Sequence, residues 1–156
     1  MEQIAIALLT WIAAHSEYRV AQLQPPPLVL LSPEAMTAVV HEREGLPLVA
    51  GMVDQRIQGY FTWEGGAQAT IYLVRPEDTP GAAKYTNPSD NPLFRERLLH
   101  ELVHFAQRAT GAYEQRRCPA QNEFDAYQLG GLYLRELRVP DPLPNRLFLA
   151  RMSSAC

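Results

Sequence analysis

The sequence predicts an α+β fold in a single domain spanning residues 1–156. Three observations carry that expectation. Helix-like and strand-like segments follow the order helix, strand, helix, several strands and two long helices, with the strands ahead of the final helix pair, which places a small sheet beside helices. The 156 residues suffice for one core. A content of 47% hydrophobic and 20% charged residues sets the chain among ordinary globular proteins.

Residues 2–17 are rich in Ala, Ile and Leu and read as a first helix. After the Pro25-Pro26-Pro27 run comes a short apolar strand at 28–31, and Ser32 then caps a helix that Pro33 opens and that ends near Gly45. LVAGMVDQ and RIQGYFTW read as short strands around a turn, and Gly65-Gly66 as another turn. ATIYLV, residues 69–74, is β-branched and aromatic and reads as a strand that Pro76 ends. A polar, proline-broken loop over 75–91 leads to the strongest helix signal. There Asp90 or Asn91 can cap, Pro92 sits at the first helical position, and Leu93, Phe94, Leu98, Leu102, Phe105 and Ala106 form an apolar stripe until Thr110-Gly111. A loop with Cys118-Pro119 precedes a helix over 120–137, VPDPLPN breaks it, and a tail helix covers 145–152.

Charge and hydropathy remove several classes. With 14 basic and 17 acidic residues, a net charge of -3 and no basic block, the chain carries no nucleic-acid footprint. The apolar run at 4–14 matches a signal-peptide core in length, but Glu2 precedes it and no Lys or Arg does, so it reads as a buried helix; no segment is long enough for a membrane span. The compartment stays open. Cys118 and Cys156 leave two readings open, a bridge from the C-terminal tail to the loop at 118 or two free thiols.

The chemistry is concentrated in LLHELVHFAQ. His100 and His104 are four residues apart, so they share one face of a helix one turn apart, and both imidazoles can reach a common ion. Glu101 is rotated off that face, where a carboxylate can take a proton from water acidified by zinc. Two histidines and a glutamate among Leu98, Leu99, Leu102, Val103 and Phe105 would lose hydration without something to compensate, which points to a metal. A catalytic zinc needs a third protein ligand. His15 and His41 lie far upstream and read as surface residues. CPAQNEFDAYQLGG offers Glu123 and Asp125; these are two apart on a helix, so only one can ligate. Gln107 receives no role.

HELVH followed by a helix with Glu-x-x-Ala resembles the gluzincin branch of the zincin metallopeptidases, and Asn122-Glu123 resembles the Asn-Glu pair of thermolysin-like enzymes. The pieces LLTWIAA, PPPLVLLSPEA, ATIYLV, HELVHFAQ and CPAQNEFDAYQ are similar, across most of the chain, to a small bacterial zincin-like family. The resemblance implies a zincin-like fold with a small, mostly antiparallel or mixed sheet packed against the HExxH helix and a following glutamate-bearing helix. It implies Glu123 as third ligand, Glu101 as general base, and the 69–74 strand as a sheet edge that holds an extended peptide. Where many gluzincins place an aspartate that orients a ligand histidine, this chain has Tyr127, leaving Asp125 as a weak substitute; Tyr113 is a weak candidate for substrate binding as oxyanion stabiliser. The expected activity is zinc-dependent hydrolysis of a peptide or protein substrate. The alternatives are a zincin scaffold that binds zinc without cleaving peptides, and hydrolysis of a non-peptide amide or ester.

Overall fold

Capping residues and prolines set several element boundaries of this chain. The computed structural model describes residues 1–64 and 68–156, so the expected Gly65-Gly66 turn lies outside the described residues. Among these residues there are five α-helices and three strands: α1 Glu2–His15, β1 Leu28–Leu31, α2 Pro33–Glu44, β2 Gly59–Trp63, β3 Ala69–Val74, α3 Pro92–Ala109, α4 Asn122–Glu136 and α5 Arg146–Ser153. The fold is α+β with a small mixed sheet. The chain forms two compact units, Pro26–Arg97 and Met1–Pro25 with Leu98–Cys156.

In the unit Pro26–Arg97, Ser32 Oγ accepts a hydrogen bond from the Ala35 amide and Pro33 opens α2. Gly45 closes the helix at φ 64°, a left-handed conformation that costs glycine little. The sheet order is β1-β3-β2, with β1 parallel and β2 antiparallel to β3. Leu28 pairs with Ile71 and Tyr60 with Tyr72. Ile71 and Leu73 are fully buried, and Met36, Val40 and Val74 form a cluster over which Leu31, Ile57, Tyr60 and Tyr72 close. Each fully buried side chain of this kind contributes roughly 1.5–3 kcal/mol. The 75–91 loop contains three short 3-10 turns, Pro76–Asp78, Ala82–Lys84 and Pro88–Asp90. Of the two capping candidates for α3, Asn91 serves: its Oδ1 accepts from the Leu93 amide, while Asp90 pairs with Arg95.

Three expectations fail in this unit. The 69–74 strand is central, not an edge, because its backbone is paired on one side by β1 and on the other by β2; it has no free side for a peptide. LVAGMVDQ forms no strand. Gly51 turns the chain at φ 75°, the Asp54 amide is taken by Thr37 Oγ1, and the Met52 and Ile57 amides close local turns, so no row of backbone groups remains for a ladder. His41 is buried, not a surface residue: the last turn of α2 places its Nδ1 2.6 Å from the Pro47 carbonyl.

In the other unit, α1 buries Ala5, Leu8, Leu9 and Ile12, a helical spacing that makes it the buried first helix expected. Its last turn docks on the end of α4. Trp11 Nε1 donates to Glu136 Oε2 at 2.9 Å, His15 Nε2 meets Glu136 Oε1 at 3.0 Å, and the Trp11 ring sits edge-on to Tyr133. From α3, Leu98, Leu99, Leu102, Val103 and Ala106 are fully buried. Asp141 clasps the buried Arg146 at the start of α5, and a Cys118–Cys156 disulfide ties the tail back to the loop before α4, which decides between the two cysteine readings. Among the described residues no helix is long and apolar enough to cross a membrane.

Candidate metal centre

The α3 helix presents His100 and His104 because its stripe of fully buried leucines faces the opposite way, into the core. The α4 helix presents Glu123 in its first turn. A 3-10 turn at Pro119–Gln121 leads into it, held by the Gln121 amide on the Cys118 carbonyl and by Asn122 Nδ2 on the Pro119 carbonyl. A carboxylate at a helix N-terminus is also favoured by the exposed peptide dipoles there.

The three side chains converge. His100 Nε2 lies 3.3 Å from His104 Nε2 and 3.3 Å from Glu123 Oε2, and His104 Nε2 lies 3.2 Å from Glu123 Oε1. Two atoms each about 2.0–2.1 Å from one ion, at a tetrahedral angle, are about 3.3 Å apart. The His100–His104 pair therefore has the separation of two ligands on one tetrahedral zinc, and the three side chains offer one donor atom each within 4.8 Å of one another. These side chains are 18% (His100), 12% (His104) and 36% (Glu123) exposed, so the cluster is partly open to solvent. Of the two acidic candidates, Glu123 joins the histidines and Asp125 does not.

The electrostatics favour a positive charge at this cluster. Burial alone would raise the Glu123 carboxyl, but hydrogen bonds and charge from His100 and His104 outweigh it and hold the group well below the usual carboxylate range. Burial would lower His104, but its hydrogen bond to Glu123 and the charges of Glu101 and Glu123 prevail and raise it to about 9. The field at this cluster thus favours a proton on His104. Glu101 is buried and near enough to contribute to this field.

The surroundings differ from the expected ones. Asp125 is engaged elsewhere: its Oδ2 accepts from the Tyr18 hydroxyl at 2.5 Å and from Arg116 at 2.6 Å, and burial together with this hydrogen bond raises the Tyr18 pKa. It therefore orients neither histidine. Tyr127, at the position where an aspartate was sought, lays its ring edge-on to His100 at 5.1 Å between centroids. Tyr113 sits in a 3-10 turn with the Arg108 guanidinium 3.3 Å over its ring, and no hydrogen bond joins it to His100, His104 or Glu123. The residue that sequence reasoning left without a role meets one of the two histidines: Gln107 Oε1 is 3.0 Å from His104 Nδ1. The available signal was spacing, since Gln107 is one turn beyond His104 on the same face. A cleft of about 1190 Å³ runs along Tyr18, Arg116, Asp125, Arg135 and Phe148 in the same unit, and none of the three donors lines it.

Fold and site together define a small α+β protein with a His-His-Glu cluster on two successive helices. The chain belongs to the family described as Domain of unknown function (DUF6647), whose profile matches residues 1–147. No curated protein and no solved structure matches the chain.

Proposed function

We propose that the protein is a zinc-dependent hydrolase of the gluzincin type, with His100, His104 and Glu123 as metal ligands, Glu101 as general base and a peptide bond as the target. One observation carries this reading: His100 and His104 on one helix and Glu123 on the next offer three donor atoms within 4.8 Å of one another, and the two imidazole nitrogens, 3.3 Å apart, have the spacing of two ligands on one tetrahedral zinc. Zinc held there supplies a water acidified to near neutral pH and polarises a substrate carbonyl. The protein's own part is proton transfer. Glu101 sits one residue past His100, off the ligand face, where its carboxylate takes a proton from the attacking water and returns it to the leaving amine. A glutamate has no such task in a purely structural site.

A second reading, a zinc-binding scaffold without peptidase activity, draws support from two placements. Asp125 is paired with Tyr18 and Arg116, and the Tyr113 ring is covered by Arg108, so neither serves the chemistry. The experiment that separates the readings measures zinc per chain in wild type, His100→Ala and Glu123→Ala, and cleavage of a fluorogenic peptide library by wild type and Glu101→Gln. The expected result is one zinc in wild type, little in the two ligand variants, and a Glu101→Gln protein that keeps zinc but loses on the order of 10²–10⁴ in rate. No zinc in wild type would sink both readings. Zinc-loaded wild type without any cleavage would favour the scaffold, and equal cleavage by Glu101→Gln would remove Glu101 as the base.

A further inference from the structure

Gln107 is fully buried, and both ends of its amide are engaged, with the Tyr18 hydroxyl also within its reach. Its Nε2 donates to the Asn122 carbonyl at 2.8 Å, and its Oε1 faces His104 Nδ1 at 3.0 Å. The orientation of this amide follows from chemistry alone. A backbone carbonyl can only accept, so the NH2 end must face Asn122, and the oxygen end must face His104. That oxygen can also only accept, so His104 Nδ1 must carry its hydrogen. In the neutral ring the lone pair is then on Nε2, the atom that faces His100 Nε2 and Glu123 Oε1.

The partner of the NH2 end adds a second consequence. Asn122 is the residue immediately before Glu123, and it opens α4 with its own side chain donating to the Pro119 carbonyl. One side chain on α3 therefore grips both the ring of one donor residue and the peptide that presents another. We propose that Gln107 is the positioning residue of the centre, setting the His104 tautomer and the register of the first turn of α4 against α3. This inference rests on the zinc reading above, and it assigns the role that an aspartate four residues after Glu123 was expected to fill. Such partners are worth about 10–100-fold in metal affinity where they have been removed from other sites.

The test compares zinc affinity, by competition with a chromophoric chelator, in wild type, Gln107→Leu and Gln107→Glu. It is combined with ¹⁵N NMR of the histidine rings in the zinc-loaded proteins. Gln107→Leu is expected to bind zinc about 10–100-fold more weakly, with rapid solvent exchange of the His104 Nδ1 proton. Gln107→Glu keeps an acceptor for Nδ1–H but sets an oxygen against the Asn122 carbonyl, so it is expected to keep that proton protected while binding zinc more weakly than wild type and more tightly than Gln107→Leu. A merely structural role would lower the melting temperature of both variants without moving the Nδ1 resonance. Unchanged zinc affinity in Gln107→Leu, or coordination through His104 Nδ1 in wild type, would overturn the proposal and leave the zinc reading standing. A wild type that binds no zinc would overturn the zinc reading itself and this inference with it. If Gln107→Leu does not fold, Gln107→Glu decides: loss of the protected Nδ1 proton there overturns the assignment.

Discussion

Removing Glu123 should uncouple zinc from stability. The carboxylate stands 3.3 and 3.2 Å from the two imidazole nitrogens and is the one acid among the three donors. A ligand that binds the folded chain alone stabilises it by about 2.7 kcal/mol at one hundred times its Kd. For a domain of this length 1 kcal/mol moves the midpoint by roughly 2–4 °C, so saturating zinc should raise the wild-type Tm by roughly 5–10 °C. Glu123→Ala removes the one acidic donor, and at the same zinc concentration its shift should stay under about 2 °C. The assay is thermal unfolding followed by circular dichroism, with each protein melted in chelator and in zinc. A Glu123→Ala protein with the full wild-type shift would refute the three-donor arrangement. So would an Asp125→Ala protein that loses the shift, since Asp125 is held by Tyr18 and Arg116.

Acid should weaken zinc binding. His104 carries its proton up to about 9, and zinc must displace that proton, so apparent affinity should fall about tenfold for each pH unit below 9, measured by chelator competition. In chelator the sign for this group reverses. A raised histidine stabilises the fold fully below its unfolded value of about 6.5, and that contribution should fade as pH rises through about 9, which urea titrations at pH 6 and 10 would show. Reduction of the Cys118–Cys156 bridge, or its replacement by serines, should cost about 4 kcal/mol on the chain-entropy estimate for a separation of 38 residues, read from denaturant midpoints. Gly131→Ala should destabilise by about 1–3 kcal/mol despite the better helix propensity of alanine, because the new Cβ would lie 2.8 Å from Cδ of Arg146, which Asp141 holds in place; an unchanged midpoint would show that Arg146 moves aside freely.

Most boundaries were legible because they are local. Ser32-Pro33, Gly45, Asn91-Pro92 and Gly111 each act through backbone conformation or a hydrogen bond within a turn, and each marks an element end in the structure. The pair His100 and His104 was legible for the same reason, since helical periodicity alone puts them on one face. The strand pattern of ATIYLV was also plain, but its place in the sheet was not. An apolar run reads alike at a centre or an edge, and only pairing with β1 and β2 on its two sides settles it. LVAGMVDQ shows the converse, a strand-like composition with no neighbour to complete a ladder.

The sequence by itself determined the element order, the helix that carries the two histidines, and the short list of acids that could join them. Tertiary structure decided which acid does. Glu123 and Asp125 are two residues apart on one helix, and the packing of α4 turns the first toward the histidines and the second toward Tyr18 and Arg116. It also decided that the cysteines are bridged, that His41 is buried and that Gln107 holds His104. Each depends on groups far apart in the chain, or on burial, which no local pattern encodes. The Gln107 amide is oriented by the Asn122 carbonyl, a partner that exists only once α3 and α4 have packed.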